Sequence, residues 1–127
     1  MTGRQLYEQA LVLLGLEAEN VPHLEEMAPG CINQMLYDRN YEQNALLRAQ
    51  GDEAALTGCV PAAGLDSLEE EIPYDERFVQ ECFPYGLAAL LIAEDDRTMF
   101  NWLISEYQQH AAYYAPCTET VIRGMEE

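Results

Sequence analysis

His110 lies one helical turn after Glu106, and this i,i+4 pair is the first place in the sequence where a proton carrier and a carboxylate could share a face. A metal site in a helical protein needs such pairs on several helices, and His23 is the only other histidine. No H-E-x-x-H accompanies them, so the pair reads as a rim contact at a helix end. The four cysteines, Cys31, Cys59, Cys82 and Cys117, include no C-x-x-C and so lack the paired ligands of a zinc ribbon. Cys31 and Cys82 fall in apolar helical patterns, where a reduced thiol behaves as a small hydrophobe. Ser67 and Ser105 have no histidine near them in sequence, and neither a G-x-S-x-G nor a phosphate-binding glycine pattern is present. The residue types point away from catalysis, and no metal or other cofactor is expected.

Carboxylates are the other candidate. Asp66, Glu69, Glu70, Glu71, Asp75 and Glu76 put six acids into residues 66–76. A calcium loop begun at Asp66 would place Leu68 at the third ligand position and Glu71 where the turn glycine belongs. Begun at Asp95, it would place Arg97 and Phe100 there. Both registers fail, and the cluster is expected to be a hydrated acidic surface. The whole chain has a formal charge of −17, and its six basic residues are all arginine. Such a chain repels phosphate backbones and anionic membranes, so neither sequence-specific nucleic-acid binding nor membrane binding is expected. The charge suits solubility, a surface that faces DNA without gripping it, or docking on a basic partner.

These residues need elements to hold them. At 127 residues and 49% apolar, the chain is long enough for one domain with a real core. Glu8 interrupts the apolar N-terminal stretch, so no secretory leader is read there. The longest uncharged apolar run, 86–93, is too short to span a bilayer, and a soluble intracellular protein is expected. Thr2 and Gln5 have capping-box spacing, Leu6, Ala10, Leu13 and Leu14 follow at helical spacing, and Gly15 is a natural stop; helix is expected over about 3–14. A second helix is expected over about 24–49, bent if anywhere at Pro29. Residues 50–74 lack helical period and read as a long irregular loop, with an extended piece at 57–63 and Ile72 and Pro73 anchoring its end. Asp75 then caps a helix over about 76–93, with Phe78, Val79, Cys82, Phe83, Leu87, Leu90 and Leu91 inward. Pro84 should kink that helix without dividing it, and Gly86 should let a neighbour approach closely. Asp95 or Asp96 caps a last helix over about 97–114, with Trp102 off its buried stripe. After Pro116 the tail 115–127 is either a loose terminus or an arm ordered on a neighbour. The expectation is an all-α fold, a small bundle of about four helices with a long loop at 50–74 and a C-terminal arm, in a single domain spanning 1–127.

Tyrosines offer an apolar ring with a polar tip, which interfaces and core edges use equally. The candidate interface residues are Tyr74, Tyr85, Trp102, Tyr113 and Tyr114, with Val121 and Ile122 on the arm.

Two stretches carry a resemblance. The text "LDSLEEEIPYDERFVQECFPYGLAALLIAEDDRTMFNWLISEYQQ", with Leu68, Glu71, Ile72, Pro73, Pro84, Tyr85, Gly86, Leu87, Ala88, Ala89, Asp95, Asp96 and Tyr107, resembles small structural proteins of tailed phages and prophages. "INQMLYD" at 32–38 looks similar to the second helix of the same class, and the likeness covers about residues 24–114. The class is that of head–tail connectors and head-completion subunits. It implies a helical subunit that assembles with itself into a ring around the DNA passage and contacts portal and tail proteins. It also implies work in the host cytoplasm during assembly and then in the virion, and it brings no catalytic residues. An acidic regulatory module, or a DNA mimic that occupies a basic protein groove, is the alternative; it requires carboxylates spaced along one face, whereas these cluster at 66–76 and 94–96.

Overall fold

The computed structural model describes residues 1–114, and these fold as six α-helices with a short 3₁₀ turn. The first helix, α1 (Gly3–Leu14), begins with the expected capping box: Gln5 N–H donates to the Thr2 hydroxyl at 3.2 Å, and Thr2 N–H donates to the Gln5 side chain at 2.9 Å. Gly15 closes it at φ 68°, a left-handed conformation that suits glycine. After the 3₁₀ turn Ala18–Asn20 comes α2 (Pro22–Asp38), then α3 (Asn40–Ala49) and the short α4 (Glu53–Thr57). The two long helices α5 (Glu76–Ile92) and α6 (Arg97–Ala112) complete the fold, capped by Asp75 and Asp96 through their side-chain bonds to Phe78 N–H and Met99 N–H.

The single helix expected over 24–49 is instead two. Pro29 sits inside α2 without ending it, and the division falls at Arg39. The polar composition of 38–44 explains the position, because Tyr74 crosses there. Its hydroxyl is bonded to the Leu36 carbonyl and, at 3.0 Å, to the Asn40 side-chain amide. A partner from elsewhere in the fold thus serves the backbone at the interruption.

Residues 50–74 are also more ordered than an irregular loop. They contain α4, show no strand at 57–63, and bury Ala55, Leu65, Leu68 and Ile72. What holds them is side-chain amides bonding main chain. Asn33 accepts from Leu65 N–H at 2.6 Å and donates to Leu65 C=O at 2.9 Å. Asn44 does the same to Val60, at 2.7 and 2.9 Å. Gln43 accepts from Asp75 N–H at 2.9 Å. The start of α1 supplies the last ties: Gly3 and Arg4 N–H, two of the donors a helix leaves unpaired at its first turn, bond the carbonyls of Glu70 and Leu68. The loop is therefore a strap across the bundle, with one edge paired to the beginning of the chain.

At the centre lies α5, held by α1, α2 and α6. Phe78, Val79, Cys82, Phe83, Leu87 and Leu91 are buried as expected and Leu90 is half-buried. The helix is continuous through Pro84. Gly86 marks the tightest point, since a Cβ there would lie 2.7 Å from Met35 Sδ on α2 and 2.8 Å from the Tyr107 ring on α6.

Two substitutions test this packing. Gly86→Ala gains up to about 1 kcal/mol of helix propensity, but forcing a methyl into the junction costs about 1–3 kcal/mol. The net expectation is a loss of stability, read as a lower urea midpoint at unchanged slope; an unchanged midpoint would mean that the three helices have slack. Asn33→Ala should cost about 1–3 kcal/mol by leaving both Leu65 main-chain groups without their partner. It should also speed amide exchange at Leu65 before that of α5; exchange rising equally everywhere would count against the strap.

Candidate functional site

Three groupings of polar or aromatic side chains stand out on this frame. The first is a strip of rings on the outer side of α5 and α6. Tyr85 and the His110 imidazole are stacked, with centroids 4.7 Å apart and planes 8° from parallel. Trp102 meets the other side of Tyr85 edge-on at 6.4 Å, and Tyr113 lies 6.1 Å from His110. Helical geometry dictates this alignment: Trp102, Glu106, His110 and Tyr113 recur at intervals of three or four, so they share one face of α6. The Glu106 carboxylate approaches His110 Nε2 at 3.7 Å, the rim contact that the spacing suggested. Beside the strip, α1 and α5 bound a groove of about 520 Å³ whose walls include Val12, Leu13, Pro84, Tyr85, His110 and Tyr113. Val12 is 79% exposed, Tyr113 74% and Trp102 52%. This is rigid apolar surface with a few polar tips, suited to holding another chain.

The second grouping is interior. Arg39, at the α2–α3 break, places its guanidinium 4.5 Å from the centroid of the Tyr107 ring and pairs with Glu42 at 3.1 Å. The guanidinium lies over the ring face. The buried Tyr107 hydroxyl, Arg39 Nε and Glu42 Oε2 make no well-formed hydrogen bond, although the guanidinium is close enough to the phenol to offset part of its burial. Cys82 lies next to it, its thiol 3.6 Å from the Tyr107 carbonyl. Burial pushes the Cys82 thiol up to about 12 and the Tyr107 phenol higher still. Burial likewise raises Tyr74 to about 12. Groups held neutral so far above neutral pH are poor nucleophiles and poor bases, so the cluster holds α2, α3 and α6 together rather than offering reactive groups.

The acidic segment is the third. Glu69 pairs with Arg4 at 2.6 Å, and Arg4 also reaches Glu25 at 2.7 Å. Glu71 and Glu76 lie 2.9 and 3.2 Å from the Met1 nitrogen. Asp75 caps α5 and Glu70 accepts from Asp66 N–H. All carboxylates of this segment except the half-buried Asp75 remain exposed, yet most already answer a cation or an N–H within the fold. Among the described residues, no three His, Cys, Asp or Glu side chains converge to hold a metal ion, and no helix is long and apolar enough to cross a membrane.

Of the interface candidates, Tyr85, Trp102 and Tyr113 are brought together in the strip. Tyr74 lies elsewhere, with its ring edge-on to Phe83 and its hydroxyl engaged at the α2–α3 break. Tyr114 packs on Phe78 and donates to Glu81 at 2.6 Å. Val121 and Ile122 lie outside the described residues. Sequence reasoning weighs His110 as a ligand or a rim contact, not as a ring in a stack, and does not single out Val12, Gln80 or Arg39. The i,i+4,i+8 spacing of Trp102, Glu106 and His110 was the available signal for the strip.

No family model, curated protein or solved structure matches the chain.

The interior cluster generates a pH prediction. Tyr107, Tyr74 and Cys82 have folded-state values raised above their ordinary ones, so the stability they carry is complete below about pH 9 and is lost as pH climbs toward their folded values. Thermal stability should therefore decline above about pH 9–10. Tyr107→Phe removes a buried hydroxyl that has no partner. It should be neutral or stabilising at pH 7 and should shallow the alkaline decline. Destabilisation by Tyr107→Phe at pH 7, measured by calorimetry, would show instead that the hydroxyl is engaged.

Proposed function

We propose that this chain is a non-enzymatic assembly subunit of the tailed-phage or prophage head–tail connector or head-completion class. In that role it works as a small bundle of about four principal helices that joins copies of itself, portal and tail proteins around the DNA passage. It would act in the host cytoplasm during assembly and then within the virion. The observation that carries the reading is the ring strip Trp102–Tyr85–His110–Tyr113 beside an apolar groove, on rigid helices and facing outward. Aromatic side chains with polar tips lose little rotamer freedom on contact and are enriched at protein interfaces.

Charge supports the same direction. Arg4, Arg39, Arg48 and Arg77 are each bonded to a carboxylate or a main-chain carbonyl of this chain. Few cations are then left to grip a nucleic-acid backbone, and a surface that repels phosphate lets DNA pass. The DNA-mimic alternative draws less support, because the carboxylates of 66–76 are spent largely on Arg4, the Met1 nitrogen and the cap of α5.

The test is whether portal and tail genes lie beside this one and, where they do, whether the chain associates with that portal ring, followed by size-exclusion chromatography with light scattering. Trp102→Ala combined with Tyr113→Ala should weaken that association by about ten-fold or more, while melting changes by no more than about 0.5 kcal/mol because both side chains are exposed. Undiminished binding by the double variant would remove the strip from the interface. Absence of any portal or tail partner would sink the reading itself.

A further inference from the structure

The groove beside the strip has a feature that the rings alone do not require. Pro84 lies in its wall, and proline brings no N–H to the carbonyl four residues earlier. That carbonyl belongs to Gln80, which also lines the groove. The groove therefore sets the side-chain amides of Gln9 and Gln80 beside the apolar Val12, Leu13 and Pro84. Such a wall suits an extended peptide, whose N–H groups need acceptors while its side chains enter apolar space.

The trough also has a direction. His110 and Tyr113 line it from α6 and its C-terminal cap, Val12 from α1 and Pro84 from α5. Through Gln9, Val12 and Gln80, which line both, it adjoins a hollow of about 440 Å³ lined by Glu8, Glu76 and Met1, whose ammonium already pairs with Glu76 and leaves Glu8 as the acid facing the hollow. Read from the Tyr113 end, the order is aromatic, apolar, amide, then acidic.

The chain beyond Tyr114 matches that order. It leaves α6 at the Tyr113 rim, and then runs through Pro116 to the β-branched Thr118, Thr120, Val121 and Ile122, followed at once by Arg123. β-Branched residues favour extended backbone. Seven residue steps lead from Tyr114 to Val121 and span up to about 23 Å when extended, enough to turn back across a helix pair about 10 Å apart. We propose that the groove is the seat of the chain's own C-terminal segment, with Val121 and Ile122 over Val12 and Pro84 and Arg123 toward Glu8. The occupant is the same copy, not a neighbour, because a short tether gives an effective concentration of the order of millimolar at the rim. The proposal concerns the free chain and does not rest on the assembly reading.

Amide hydrogen exchange of the full-length protein tests it. Residues 118–123 should exchange more slowly than a free peptide of the same sequence, to an extent independent of protein concentration. Ile122→Asp, which cannot disturb the helices from its place in the tail, should raise exchange there about ten-fold or more, given what burial of an isoleucine contributes. Val12→Asp, at a position 79% exposed, should do the same without lowering the melting temperature, and the two together should add little. Exchange at the free-peptide rate in the unaltered chain would overturn the proposal, as would protection indifferent to Val12→Asp. Protection that grows with protein concentration would overturn it too, by making a second copy the occupant, and would leave the assembly reading standing. Loss of portal binding alone would instead touch only that reading.

Discussion

A helix that is apolar around most of its circumference has to be enclosed, and α5 is such a helix. Phe78, Val79, Cys82, Phe83, Leu87, Ala88, Ala89 and Leu91 are all buried, and they do not lie on one stripe. Two neighbouring helices could not cover such a surface, so α1, α2 and α6 all pack on it. The enclosure is possible because Gly86 has no side chain: Met35 and the Tyr107 ring occupy the space a methyl would need. Tyr107 in turn offers its ring face to Arg39, the residue between α2 and α3. The interior polar cluster is thus a consequence of how closely α6 must approach α5. Its unpartnered hydroxyl is tolerated because the ring above it contributes more than the hydroxyl costs.

Backbone accounting governs the rest. A segment of twenty-odd residues without long helices carries many N–H and C=O groups, and at the edge of a core these must find partners. Here they are served by amide side chains that mimic a strand, since Asn33 and Asn44 each bond both main-chain groups of one strap residue. The start of α1 serves the remainder with N–H groups its own helix cannot use. This places the positive end of a helix dipole, with Arg4, against the most acidic part of the chain. The carboxylates of 66–76 therefore have a local electrostatic reason to sit where they do.

What the sequence disclosed follows the same division. Local rules were legible: the capping box at Thr2 and Gln5, the stop at Gly15, the Asp75 cap and the inward face of α5 all rest on neighbours within a turn or two. The close approach at Gly86 was legible in kind, because a glycine in an apolar helical run has few other uses. The α2–α3 break was not, because it depends on Tyr74, far away in sequence, reaching the Leu36 carbonyl and Asn40. The strap was misread as irregular for the same reason. Its order comes from Asn33, Gln43 and Asn44, and a polar residue on a helix gives no sign of whether its amide faces water or a distant backbone. The strip was half legible: its residues were suspected singly as interface tyrosines and a tryptophan, but their stacking through His110 needed α5 and α6 set side by side.

Charge and aromatic surface meet in one last step. A chain with a formal charge of −17 repels its own copies over the Debye length, about 8 Å at physiological ionic strength. The arginines that could offset this locally are mostly engaged within the fold, at Glu25 and Glu69, Glu42, Glu81 and the Ala55 carbonyl. Long-range attraction between copies is thus unavailable, and any association of like copies must be won at contact by apolar area. One outward-facing surface that offers it is the region of Trp102, Tyr85 and Tyr113. Exposed rings on an otherwise well-enclosed acidic fold are in this sense complementary to the charge. Carboxylates repel like charge at a distance, whereas exposed rings count only where apolar area is covered at contact.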